Sequence, residues 1–473
     1  MPKSFFDIVC LGSDLPGLLA SALLAKQGYR TLVVTGEPLP SAQHGPPLLA
    51  VGDHSSPVVK AAFSSLGLTQ EMRNRLKPLI PSYQVVLPGH RLDLGGRSPG
   101  TDEEVKRELP ELCDQLDPLL DRLEQSHERL QALFDPPLVC PPTRWRERRH
   151  FAARLRLAGV AADLSWDDPF PGMELAHPLR LLFDAPIHFL TGADPATLGP
   201  LARSRLLGHL GRGISLLPGD RAALGDLLLQ RLKTAGGVVR QGALPDGIAL
   251  GWFGPAMLSF DRGREEIGCQ LVLAALSLDQ LVFLLPQGRK RMKIEQLRKD
   301  FAPSAYLATL RLKVAATLLP EALAPLAYCV GDLAAPLCRE NLVQVWTGGG
   351  GDPRLLCASA ILPAAELAED GDRALQRLQR RLEEVLRGLL PYLDHHLVES
   401  GKLTREALLP LPALLPTGLR SLGPLAHRTP YRQILLASRQ LLPALGLEGE
   451  FQAGVSTSLT VNGLLARRNL LPA

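Results

Sequence analysis

The residues best suited to chemistry are gathered in one short stretch, Gly12-Ser13-Asp14-Leu15-Pro16-Gly17, which joins an apolar run to one rich in leucine and alanine. Glycines spaced this way between a strand and a helix suit anion binding. The first makes a tight turn, the middle one lets a diphosphate approach the backbone, and the last lets the helix pack on the strand. The free N–H groups of the helix start attract the negative charge. Gly12 and Gly17 fill the first and third positions, but Asp14 stands at the second. Its carboxylate adds bulk and negative charge where phosphates would sit. Aspartate is also a good helix cap, so Asp14 reads either as a cap or as an acid tolerated beside a nucleotide. Pro16 lies near the first helical position, where its missing N–H costs nothing. Such a site also calls for an acid at the end of the second strand, about 20 residues beyond the turn, where a threonine hydroxyl would bond a ribose less strongly. Thr35 occupies that position, and Glu37 follows two residues later.

The elements that position these residues are legible in the apolar pattern. FDIVCL at 6–11 predicts a buried strand, 17–27 a helix that Gly28 closes, and TLVV at 31–34 a second strand paired in parallel with the first. Between 213 and 285 the pattern predicts a helix at 220–234 closed by Gly236 and Gly237, and a strand at 238–240. A hairpin turning near Asp261–Gly263 and an apolar strand at 270–275 follow. Residues 305–313 and 342–347 read as strands of a second sheet, and 373–391 as an amphipathic helix. A strand at 434–438 leads into a glycine-spaced final helix. Leucines at 109, 112, 116, 119, 123, 130 and 133 predict a helical segment with one apolar face, bent or broken around Pro118.

The chain has 473 residues, enough for two or three domains, with 46% hydrophobic and 21% charged residues, an ordinary globular mixture. A net charge of +4 gives no argument for nucleic acid. The excess is local, since residues 144–156 carry six arginines against one glutamate. This run reads as a solvated face or as a docking patch for anionic lipid headgroups between Arg144 and Arg156, with Trp145 and Phe151 at the interface. The seven cysteines form no CxxC pair and no metal spacing, which suggests a cytoplasmic setting; Cys10 reads as a small buried hydrophobe. His395 and His396 end a helix and suit its negative pole better than a metal. No apolar run is long enough for a membrane span.

Taken with the amino-terminal turn, the carboxy-terminal stretch QILLASRQLLPALGLEGEFQAG resembles the FAD-binding halves of the phytoene desaturase-like flavoproteins, relatives of the amine oxidases and protoporphyrinogen oxidases. Pro443, Gly446, Gly449 and Gly454 match the spacing of that family's last motif, in which glycines open a helix pointing at the flavin. LLPGDRAALGDLLLQRLKTAGG and CQLVLAALSLDQLVFLLP resemble the family's middle segments in the same order, whereas residues 100–205 contribute little.

The resemblance implies an α/β protein with a discontinuous Rossmann-type FAD-binding domain at 1–95, 210–285 and 420–473, and an inserted α+β substrate domain at 96–209 and 286–419. It implies FAD held by Gly12, Asp14, Gly17, Thr35 or Glu37, Arg439, Gly446 and Gly449, and hydride transfer from an apolar, isoprenoid-like substrate. No acid–base pair stands out as catalytic. The chain departs from the family where Ala-Gly-Asp has become Ala437-Ser438-Arg439. Arg439 then either binds the diphosphate or pairs with Asp14 and fills the site. The alternative to an oxidoreductase is a protein that keeps the fold without FAD and acts as a binding or assembly subunit.

Overall fold

The computed structural model describes residues 4–36, 49–51, 55–95, 99–193, 195, 198–217, 220–251, 254–337, 341–349, 351–411, 413–414 and 418–468. Among these, a seven-stranded sheet carries the amino-terminal turn. The strand Ser4–Gly12 lies at its centre, paired in parallel with Thr31–Val34 on one side and Glu265–Ala275 on the other. Val238–Arg240 extends the sheet in parallel beyond Thr31–Val34, and Ile434–Leu436 pairs in parallel with Glu265–Ala275. An antiparallel hairpin, Ala256–Phe260 with Glu265–Ala275, turns through Asp261, Arg262 and Gly263, all at positive φ.

The central strands are continuous apolar runs because both faces are covered. The helix Leu15–Lys26 shows the same logic, since every residue from Leu15 to Ala25 is buried. A helix apolar on all sides belongs inside, and this one is wedged between the sheet and the final helix, Gly446–Arg468. The two pack so closely that a Cβ added to Gly454 would lie 2.9 Å from the Pro16 carbonyl and 2.8 Å from Leu19 Cδ2.

A second, mostly antiparallel sheet of eight strands includes Ala305–Val314, Leu342–Gly348 and Arg354–Pro363. The helix Asp372–Leu389 covers one face with Leu375, Leu378, Leu382 and Leu386. The hairpin Tyr83–Leu87 with His90–Leu94, grouped with the first sheet on sequence, pairs instead with this second sheet through Leu326–Val330. The architecture is α/β, with a Rossmann-type sheet built from distant stretches of chain and a second, α+β layer inserted between them.

The expected break at Pro118 falls elsewhere. The helix Pro99–Glu108 ends before Pro110, and Leu109 takes φ −138° and ψ 59°, as the residue before a proline avoids helical geometry. Pro118 lies inside the next helix, Cys113–Phe134, whose apolar face is the expected one. The basic run forms the helix Trp145–Ala158. Phe151 packs in the core at 4% exposure, so it is not at an interface, whereas Trp145 is 69% exposed.

Candidate functional site

The Gly12–Gly17 turn sits at the carboxyl ends of parallel strands, where open α/β sheets bind ligands. Gly12 has φ +101°, and a Cβ there would lie 2.1 Å from the Ala275 carbonyl oxygen. A Cβ at Gly17 would come 3.3 Å from the Ala437 carbonyl and, if Gly17 were alanine, its methyl would collide with that of Ala275 at 2.3 Å. Both glycines are therefore required by the packing of the first helix against neighbouring strands.

Asp14 occupies the cap position of that helix, but its carboxylate makes no cap hydrogen bond. It reaches instead across the turn, where Oδ2 accepts the backbone N–H of Arg439 at 3.3 Å. The predicted meeting of Asp14 and Arg439 thus occurs through the main chain, and the guanidinium acts on Asp14 through space. Burial pushes the Asp14 pKa up; the positive charge of Arg439 opposes the rise, and the neighbouring Glu450 carboxylate adds to it. Glu450 is buried and holds Arg221 by two bonds of 2.6 Å. The turn is thus faced by two acids and two guanidinium groups of the chain itself.

Thr35 follows the second strand and donates its hydroxyl to the Gly36 carbonyl at 3.3 Å. Glu37 lies outside the described residues. Gly446 opens the final helix, and a Cβ at Gly449 would fall 2.0 Å from the Leu442 carbonyl oxygen.

The structure adds a cluster that the sequence did not announce. Glu448, in the first turn of the final helix, is 1% exposed. Its carboxylate accepts from Arg205 Nε at 2.8 Å and Nη2 at 2.7 Å, from the Ser56 hydroxyl at 2.5 Å and from His209 Nε2 at 3.0 Å. These donors hold the Glu448 pKa well below the ordinary value despite burial. Burial lowers the His209 pKa, against the opposing pull of Glu448; a neutral ring that donates from Nε2 accepts the Ser55 hydroxyl at Nδ1, 2.5 Å away. Gln131 ties in the Ser55 carbonyl and His127 Nε2, both at 2.7 Å. The partners lie up to 392 residues apart in sequence, so the sole local signal was a glutamate in the first turn of a glycine-opened helix.

Three buried histidines give this interior a pH dependence. Burial lowers the pKa of His127 to about 2, and it also lowers those of His209 and His427. A depressed folded-state value favours folding above the ordinary histidine pKa and loses that contribution as pH falls below it. Each histidine can therefore remove stability at up to about 1.4 kcal/mol per pH unit. Asp14, with a raised pKa, works in the opposite sense. Urea midpoints should fall between pH 7 and pH 5 in the wild type, and less steeply in His127→Asn.

Among the described residues no group of His, Cys, Asp and Glu could hold a metal ion, and no helix is long and apolar enough to cross a membrane. Cys10 is fully buried, and burial pushes its thiol up to about 12.

No protein-family profile and no curated protein matches the chain. Solved structures do. An oxidoreductase from Methanosarcina mazei superposes with a TM-score of 0.58 at 13% identity, over 96% of this chain and 99% of its own. Cyclohexylamine oxidase from Brevibacterium oxydans gives 0.55 at 14% identity, over 98% and 100%. A geranylgeranyl bacteriochlorophyll reductase-like protein from Thermoplasma acidophilum gives 0.52 at 9% identity, over 99% and 81%. The fold is that of the FAD-binding oxidoreductases. At such identities the likeness carries the fold, and function has to be argued from the residues.

Proposed function

We propose that this chain keeps the flavoenzyme fold without FAD and acts as a binding or assembly subunit. The observation that carries the reading is the Asp14 carboxylate. It takes the Arg439 N–H beside the first helix start, close to the helix N–H groups that would recognise a phosphate oxygen. Glu450 adds a second acid there, and Arg221 is already held by it. A diphosphate would bring further negative charge to a place the chain has balanced for itself. A like-charge pair about 4 Å apart costs roughly 1–4 kcal/mol, depending on the local dielectric. The residues present do not fit the diphosphate of FAD. The glycines do not argue against this, because Gly12, Gly17, Gly449 and Gly454 all meet protein atoms that would exclude a Cβ.

The test is the visible spectrum of the purified protein. The preparation should be colourless, and still colourless after incubation with excess FAD and gel filtration. Flavin absorption that survives gel filtration would overturn the reading.

One observation favours a second reading, a phytoene desaturase-like FAD-dependent oxidoreductase acting on an apolar, isoprenoid-like substrate. Two guanidinium groups, Arg221 and Arg439, act on the turn electrostatically. They would serve a diphosphate if Asp14 took up a proton, which its raised pKa favours. Bound flavin would supply hydride acceptance, and the chain's part would be to hold it.

We also propose contact with anionic membranes through residues 144–156. Arg146, Arg148, Arg149 and Arg156 are exposed on the helix Trp145–Ala158, together with Trp145 and with Leu157 at 72% exposure. Basic helices of this kind gain about 1 kcal/mol per arginine near an anionic surface. Replacing Arg146, Arg148 and Arg149 by glutamate should therefore weaken co-sedimentation with phosphatidylglycerol vesicles by roughly a hundredfold or more, with little effect on neutral vesicles.

A further inference from the structure

A cavity of about 250 Å³ opens beside the helix Arg289–Asp300, and none of its lining residues belongs to the Gly12–Gly17 turn. Its walls are Leu278, Ile294, Leu297, Phe301 and Leu425, with Arg420 and Arg428 among the lining residues. The space is many times the roughly 30 Å³ that a water molecule takes in the liquid. Its walls are mostly apolar, so water inside is poorly held and an apolar group can displace it.

Two guanidinium groups line this cavity, and further cations lie on the helix that forms part of its wall. Arg428 is engaged by Thr143 Oγ1 at 2.9 Å and by Glu147 at 3.2 Å. Arg420 is exposed and makes no hydrogen bond or ion pair with the described residues. The helix that supplies Ile294 and Leu297 carries six cations against two acids, and Arg289, Lys290 and Lys293 of its first turns are exposed. Arg428 also links the cavity to the start of the basic helix Trp145–Ala158, because Glu147 belongs to that helix.

We propose that this cavity binds an anionic single-chain amphiphile, with the acyl chain against Leu278, Ile294, Leu297 and Phe301 and the head group at Arg420. An apolar slot alone would take any hydrocarbon. The unpaired guanidinium and the cationic rim select a carboxylate or phosphate head. The inference is independent of whether flavin binds, since none of the cavity residues belongs to the turn.

Calorimetric titration of the full chain with dodecanoate, dodecanol and acetate is the test. Dodecanoate should bind and raise the melting temperature, dodecanol should bind more weakly, and acetate should not bind. Leu297→Trp, which fills the cavity, should abolish dodecanoate binding. Arg420→Ala, on the surface and harmless to folding, should weaken dodecanoate about two- to fivefold and leave dodecanol unchanged. Circular dichroism of Leu297→Trp checks its fold, and Arg420→Ala decides the matter if that variant is misfolded. Absence of dodecanoate binding, or equal binding by wild type and both variants, would overturn the proposal. Binding to phosphatidylglycerol vesicles without binding of monomeric dodecanoate would also overturn it, because a charged surface would then account for the attraction.

Discussion

Glu448→Ala should destabilise the protein by about 3–5 kcal/mol, the usual cost of breaking a buried ion pair. Arg205 is 0% exposed and donates from Nε and Nη2 to the Glu448 carboxylate, with Nη2 also reaching the neutral Gln131 Oε1 at 3.3 Å. Without that carboxylate its charge is left buried against the Phe134 ring, 5.1 Å away. The Ser56 hydroxyl and His209 Nε2 lose their acceptor as well. Glu448→Gln keeps an acceptor but not the charge and should fall between wild type and alanine. Replacing Arg205 by methionine and Glu448 by leucine together should recover most of the loss, since a packed apolar pair avoids the unpaired charge. Urea unfolding of the single and double variants measures this coupling. Losses that merely add would show that the pair does not act as a unit.

A double change at the turn should alter flavin affinity more than any other substitution here. In Asp14→Gly with Glu450→Gln, both acids facing the diphosphate position are gone, while Arg221 and the Arg439 N–H are released from them. Relief of about 1–4 kcal/mol per like-charge contact corresponds to between about fivefold and a thousandfold in affinity for each acid. The variant should retain FAD through gel filtration and show flavin absorption where the wild type shows none. Asp14→Asn keeps an acceptor for the Arg439 N–H without the charge and should give an intermediate affinity. Arg439 meets Asp14 with its backbone, so Glu450 is a more telling companion change than Arg439. A double variant as colourless as the wild type would show that something other than charge closes the site.

Much of the scaffold was legible because each element announced itself locally. The runs at 31–34 and 238–240 and the helix at 220–234 lie where their apolar pattern and glycine stops put them. The hairpin at Asp261–Gly263 was marked by its turn residues. The break in the leucine-patterned segment falls at Leu109–Pro110, where Leu109 leaves helical geometry, and Pro118 lies within the helix Cys113–Phe134. Phe151 was placed at an interface because a basic run hides which side of its helix faces the core.

The candidate site divides along the same line. The places of Gly12, Asp14 and Gly17 in the fold were legible in the sequence because a strand, a tight turn and a helix start occupy neighbouring positions. The hydrogen bond from Arg439 to Asp14 spans 425 residues, and the Arg205 to Glu448 pair spans 243. Such contacts exist because distant segments are brought to the carboxyl end of one sheet and the start of one helix, and no spacing rule reaches that far. The sequence by itself determined a glycine-flanked turn between a strand and a helix start. The tertiary structure decided which distant groups meet Asp14 there, because folding brings the Arg439 N–H, Glu450 and Arg221 to that buried carboxylate.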